Sequence, residues 1–342
     1  NLHIDNGIKL FGPDGLKLSG KVEKHIEKLI DKKIQNYLVE PTELGRAKRL
    51  EDANPRYIEI LKGNFPKDFN LSGMKIVLDC ANGAAYKAGP AIFTELGAKV
   101  IPFGTSPNGL NVNKNCGSTF PELMQKSVIK HKADIGIAFD GDADRVIICD
   151  EKGQLVDGDQ ILALIAKRWK DKKILKGGVI ATHMSNIGLE NFLKKNHINF
   201  IRTKVGDRYV KEKMKSTDYN LGGEQSGHII LPKYSKTGDG LLSTIQVLNI
   251  LTNNTKKASE MFNLYDSVPQ VQKNISVSNK ENSFYDNKKL QKFINNFDNN
   301  KNNCRMLIRP SGTEQVIRIL VEGEDKEKIK SISQEAEKLI IS

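Results

Sequence analysis

Short continuous apolar runs and stripes at helical spacing alternate along most of this chain, and their order sketches its architecture. From Met74, KIVLDCANGAA reads as a strand with a Gly-containing turn, AGPAIFTELGA as a helix and KVIPFG as a second strand. That order is a βαβ unit and predicts a parallel sheet. In CGSTFPELMQKSV a helix start is expected, capped by Ser118 or Thr119 with Glu122 close behind. Residues 134–150, DIGIAFDGDADRVIICD, then read as two apolar strands around a polar loop.

The pattern repeats downstream. VDGDQILALIAKRW is a turn and a helix, GGVIATHMSN a strand with its turn, LENFLKKN a helix, and INFIRTKVGDRYVKEKM a strand, a polar loop and a helix. SKTGDGLLSTIQVLNIL is an apolar helix capped by Asp239, and residues 253–268 read as a polar, lysine-rich linker. Beyond it VQKNISVS, a helix at 288–297, the strand pair of CRMLIRPSGTEQVIRILVEG and a last helix make a small α+β unit. The asparagine-rich stretch 295–303 is expected to be a flexible connection without chemistry. Upstream, residues 5–18 read as a short strand and turn, and residues 21–36 as a helix whose Val22, Ile26, Leu29, Ile30 and Ile34 predict packing on one side. The expected fold is α/β and multidomain, with parallel and mixed sheets: a thin unit at 1–52, α/β units at 53–155 and 156–263, and an α+β unit at 264–342.

Composition narrows the class. At 342 residues, with 38% hydrophobic and 27% charged residues, the chain is that of an ordinary globular protein of two or three domains. It has no apolar run of membrane-spanning length and no signal-peptide pattern at its start, so an integral membrane protein is not expected. Cys80, Cys116, Cys149 and Cys304 lack CxxC spacing, which argues against zinc or a disulfide framework and fits a cytoplasmic location. The net charge of +12 is spread over dispersed lysines with few aromatics between them, so no nucleic-acid partner is expected. A solvated surface accounts for most of that charge, with steering of anionic substrates as the second reading.

The chemistry concentrates in DGDADR. Asp140, Asp142 and Asp144 stand at every second position, and three like charges so close are unfavourable unless a cation neutralises them. A hard ion with oxygen ligands and free positions for water or phosphate fits, which points to magnesium. An EF-hand loop would need Gly where Arg145 stands, and its flanks would be helices. A plain acidic turn needs one or two Asp residues, not three beside an arginine.

Two further loops carry candidate binding groups. In GGEQSGH the glycines let the backbone approach a ligand while Glu224, Ser226 and His228 project toward it, against the simpler reading of a solvent-facing turn. In RPSGTE, Arg309, the hydroxyls of Ser311 and Thr313 and the N–H groups exposed by Gly312 suit a phosphate, against a polar hairpin loop. Lys204, Asp207 and Arg208 in RTKVGDRY are placed to meet a ligand.

Taken in order, DGDADR, RTKVGDRY, GGEQSGH and RPSGTE resemble the α-D-phosphohexomutase superfamily over nearly the whole chain, and most of all its hexosamine-phosphate branch. The resemblance implies an enzyme, an intramolecular phosphotransferase that interconverts glucosamine 6-phosphate and glucosamine 1-phosphate through a phosphoserine and a bisphosphate intermediate. It assigns Mg2+ to Asp140, Asp142 and Asp144, with Arg145 and Lys204 as catalytic groups. Asp207, Arg208, Glu224, Ser226 and His228 match substrate recognition, and Arg309, Ser311, Gly312 and Thr313 match the grip on the non-reacting phosphate. A mannose- or glucose-phosphate mutase is the alternative, with Gln225 the main residue against it; a sugar-phosphate binding module without turnover is another.

The family's nucleophilic serine lies just upstream of the Asn aligned with Asn1, with Leu2 in place of the usual Pro. Residues 1–52 accordingly read as the remnant of a first α/β domain without its serine loop. Ser118, Ser185, Ser226 and Ser311 each sit in a segment with another role, so the expectation is that the 342 residues bind magnesium and hexosamine phosphate without turnover. A face left open there would favour association, so a homodimer is expected.

Overall fold

The computed structural model describes residues 2–4, 8–15, 17–30, 32, 38–297, 304–311 and 315–341. After helices α1 (Gly20–Ile30) and α2 (Ala53–Gly63), strands β1 (Lys75–Asp79), β2 (Lys99–Phe103) and β3 (Ile135–Phe139) pair in parallel. Helix α3 (Ala85–Glu95) joins β1 to β2, and α4 (Glu122–His131) precedes β3. Strands β4 (Val146–Asp150) and β5 (Leu155–Val156) complete the sheet antiparallel, in the order β2-β1-β3-β4-β5. All five residues of β3 are buried, which is why IGIAF is a continuous apolar run and not an alternating one.

A second sheet follows from β6 (Gly178–Thr182), β7 (Asn199–Thr203), β8 (Leu221–Gly223) and β9 (Ile229–Ile230), in the order β7-β6-β8-β9. Around it lie α5 (Gly158–Asp171), α6 (Ile187–Lys195), α7 (Asp207–Thr217), α8 (Gly240–Thr252) and the short α9 (Ala258–Phe262). The two sheets share one hydrophobic core, running from Ile76, Leu78 and Ile137 through Ile161 and Ile245 to Val179 and Leu189. Helix α8 is apolar nearly all round and therefore sits inside this core. Asp239 caps it as expected, accepting from the Leu242 N–H at 2.9 Å, and the Tyr57 hydroxyl donates to the same carboxylate.

The C-terminal unit is built separately. Strands β10 (Gln270–Ser276), β11 (Cys304–Pro310) and β12 (Val316–Gly323) form an antiparallel sheet in the order β10-β12-β11, backed by α10 (Lys288–Asn296) and α11 (Lys326–Ile341). Its core, with Ile308, Ile317, Ile319, Ile329 and Ile340, is distinct from the central one. The expected multidomain α/β fold with mixed sheets and a small α+β end is thus observed. No helix among the described residues is long and apolar enough to cross a membrane.

Four local expectations are corrected. Helix α4 starts at Glu122 with Pro121 at the cap and no capping side chain, and Ser118, upstream of that cap, instead has its N–H on the Phe139 carbonyl at 2.8 Å. The apolar stripe on α1 has no fully buried residue, although its spacing predicts packing: Ile26 and Leu29 are half-buried, Val22 and Ile30 are exposed, and Ile34 lies outside the described residues. The linker is partly ordered, since Ala258 and Phe262 of α9 are buried and Tyr265 packs on Phe192. The strand expected within 5–18 is reduced, among the described residues, to one bridge between Phe11 and Lys17. The flexible stretch 295–303 falls largely outside the described residues.

Candidate active site

The turn between β3 and β4 brings one carboxylate oxygen each from Asp140, Asp142 and Asp144 within 4.8 Å of one another. Burial comes first in raising the Asp140 carboxyl to about 6, with Asp144 and Asp142 adding to it and Arg145 opposing. Burial would raise Asp144 as well, but His228 and Lys9 more than reverse it and hold that carboxyl below its ordinary range. The Asp144 Oδ1 atom is buried with no hydrogen-bond partner. Clustered carboxylates, a desolvated member and an unsatisfied oxygen together fit a hard divalent cation.

The loop is braced from below. Asp79, at the end of β1, accepts from the N–H groups of Ala81 and Gly117, fixing two loops that meet the metal turn. One of these is the NGAA turn, whose Ala84 N–H donates to the Gly141 carbonyl at 2.8 Å. A Cβ on Gly83 would stand 2.2 Å from that carbonyl oxygen, so glycine is required by the approach of the two loops. The NGAA turn is therefore a brace in this fold.

The GEQSGH loop is stitched to the metal turn. The Val146 N–H donates to the Gly227 carbonyl at 3.1 Å, and Gly240 N–H to Ala143 O at 2.9 Å. Gly227 has φ +91°, and a Cβ there would lie 2.0 Å from the Val146 carbonyl oxygen. His228 is almost fully buried with Nδ1 3.5 Å from Asp144 and Nε2 3.8 Å from Asp207. Glu224 is half-buried and accepts from the Gly206 N–H at 3.0 Å, while Ser226 is exposed at the loop tip. Gln225 turns its amide to Asp157 at 3.3 Å, behind the loop.

The RTKVGDRY residues are less uniformly gathered. Asp207 binds Lys17 at 2.8 Å and lies 3.4 Å from Lys211, making a hub between the N-terminal segment and α7. Lys204 lies over the Tyr209 ring at 5.9 Å, in the loop that Glu224 holds. Arg208 points along α7 to Glu212 at 2.9 Å and is not drawn into the carboxylate set. Arg145 stands 3.8 Å from both Asp140 and Asp144.

Arg309 arrives from β11, half-buried, directly across from Arg318 on β12. Burial and the facing Arg318 lower its pKa, while the charge of the Glu224 carboxylate opposes that shift. Ser311 is buried, and its carbonyl accepts from Lys280 at 2.8 Å. Gly312 and Thr313 lie outside the described residues.

Residues missed in the sequence are cations, some of them from far away. Lys9 donates to Asp142 and, at 3.1 Å, to Asp144, across separations of 133 and 135 residues. Lys17 reaches Asp207 in the same manner, from 190 residues away, whereas Lys211 meets Asp207 from the next turn of α7 and Arg318 faces Arg309 across the β11–β12 pair.

Family models for the phosphoglucomutase/phosphomannomutase α/β/α domains II and III match residues 55–153 and 157–268, and the model for its C-terminal domain matches 273–339. The fold and the order of its units are those of a phosphohexomutase. A phosphoglucomutase/phosphomannomutase family protein from Burkholderia thailandensis superposes with a TM-score of 0.76 at 21% identity, over 94% of this chain and 70% of that one. N-acetylphosphoglucosamine mutase from Aspergillus fumigatus, solved with GlcNAc-6P and magnesium, gives 0.68 at 18% identity, over 85% and 70%. Phosphoglucosamine mutase of Pelagibacter ubique is 57% identical over 333 residues, covering 95% of this chain and 73% of that protein, and that of Bradyrhizobium diazoefficiens is 52% identical over 328 residues, covering 95% and 73%. The chain belongs to the phosphoglucosamine mutase family.

Proposed function

We propose that these residues form the metal, sugar and distal-phosphate sites of an enzyme that interconverts glucosamine 6-phosphate and glucosamine 1-phosphate through a bisphosphate intermediate, supplying amino-sugar nucleotide synthesis. The observation that carries this is the three-carboxylate cluster stitched by the Val146–Gly227 hydrogen bond to the loop bearing Glu224, Ser226 and His228. Mg2+ is the ion we assign to Asp140, Asp142 and Asp144, where it would neutralise charge on the phosphoryl group in transfer. The chain's own groups have separate tasks. Arg145 and Lys204 add positive charge on the reacting side, and Glu224 and Ser226 take the sugar's amine and hydroxyl groups. Arg309, with Ser311, Gly312 and Thr313, grips the phosphate that does not react, for which the guanidinium fork is suited. His228 keeps Asp144 oriented from within the fold.

Calorimetry with glucosamine 6-phosphate and with inorganic phosphate tests the reading. Glu224→Ala should weaken the sugar phosphate about tenfold or more and leave inorganic phosphate unchanged, because a polar partner of the sugar is lost. Glu224→Gln keeps an acceptor for the Gly206 N–H and separates charge from loop geometry. Equal losses for both ligands would make the loop a structural turn.

A further inference from the structure

The loop joining β6 to α6, residues 183–186, has its His183 and Ser185 carbonyl groups taken up by two arginines from different parts of the molecule. Arg202 on β7 donates to the Ser185 carbonyl at 2.7 Å and to Glu190 at 3.0 Å. Arg305 on β11 of the C-terminal sheet donates to the His183 carbonyl at 2.6 Å and to Ser185 at 3.0 Å. Its Nε pairs with Glu322, which is fully buried and also accepts from Gln270 at 2.6 Å. The neighbouring Asn186 binds both the N–H and the carbonyl of Val268, where the chain leads into β10. Burying such charges is costly unless their hydrogen bonds are made. All three guanidinium nitrogens of Arg305 and both carboxylate oxygens of Glu322 have partners, and neither residue takes part in the metal or sugar loops.

The C-terminal unit has its own apolar core, so this polar fork is a principal tie between it and the sheet that carries Glu224. Arg305 and Arg309 stand four residues apart on β11, on the same face of the sheet. We infer that Arg305 is a positioning residue: its two-carbonyl grip on residues 183 and 185 sets β11, and with it Arg309, at the separation from Glu224 that a hexosamine phosphate spans. The inference rests on the proposed reading that Glu224 meets the sugar and Arg309 the phosphate. Arg305→Lys would keep a positive charge beside Glu322, but a single ammonium could not also hold two carbonyls in a plane.

The test is calorimetry on the full chain with Arg305→Lys, using glucosamine 6-phosphate, inorganic phosphate and Mg2+ as separate titrants. A misplaced Arg309 should weaken the sugar phosphate about tenfold or more, since it must reach both sites at once. Inorganic phosphate, held by the arginine loop alone, and Mg2+ should each change by less than about twofold. Gln270→Ala, which removes only the amide supporting Glu322, should give the same pattern at smaller size, and stands in if Arg305→Lys does not fold. Unchanged sugar-phosphate affinity, or equal losses for both phosphates, would overturn the positioning role. An Arg309→Ala variant that still binds inorganic phosphate as the wild type does would instead overturn the reading beneath it.

Discussion

The carboxylate turn and Arg309, to which we assign a metal and a phosphate, are positioned by different routes. Asp140, Asp142 and Asp144 sit on a turn whose strands lie inside the central core, and Asp79, Gly141 and Gly227 lock that turn on every side. Arg309 belongs to a sheet with a separate core, joined to the rest by part-buried hydrogen bonds around Arg305. A change at the metal turn's supports should therefore act on folding, whereas a change on β11 should act on ligand binding.

The largest expected effect is on the first side of that comparison. Gly227→Ala meets the Val146 carbonyl oxygen at 2.0 Å and forces alanine to φ +91°, which should cost about 3–5 kcal/mol in urea unfolding. Arg309→Ala should do the opposite, leaving stability within about 0.5 kcal/mol while costing ~1.5–3 kcal/mol of phosphate binding. Arg309→Lys should restore only part of that, and full rescue would mean that charge alone mattered. If Gly227→Ala spared the fold and Arg309→Ala unfolded the chain, the comparison would be reversed.

A smaller effect concerns pH. Burial, with Asp157 close by, lifts the Asp159 carboxyl to about 7 from its ordinary 3.8. Between those values the folded chain binds more protons than the unfolded one, so stability falls as pH rises through that window. Melting temperatures at pH 5 and pH 8 should differ less in Asp159→Asn than in the wild type; an equal difference would remove Asp159 as the cause.

How far the chain can be read follows from the range of each interaction. The strand, loop and strand around DGDADR are legible because residue type and spacing carry both the sheet and the charge cluster within one short segment, residues 134–150. Asp239 is legible as a cap for the same local reason. Lys9 and Lys17 are not, since their partners lie 133 and 190 residues away and lysine is ordinary on any surface. The start of α4 is not legible either, because Ser118 and Thr119 offer caps by type while the helix begins after Pro121. The apolar stripe of α1 predicts packing, yet its described residues are at most half-buried.

The central claim is that Asp140, Asp142 and Asp144 hold one divalent ion. Asp142 is half-exposed and its one ion-pair partner among the described residues is the equally exposed Lys9, so Asp142→Ala should shift the metal-free melting temperature little. Magnesium titration by calorimetry decides the matter. The wild type should bind one ion, and the variant should lose about tenfold or more in affinity; a variant that binds magnesium as the wild type does would contradict the assignment.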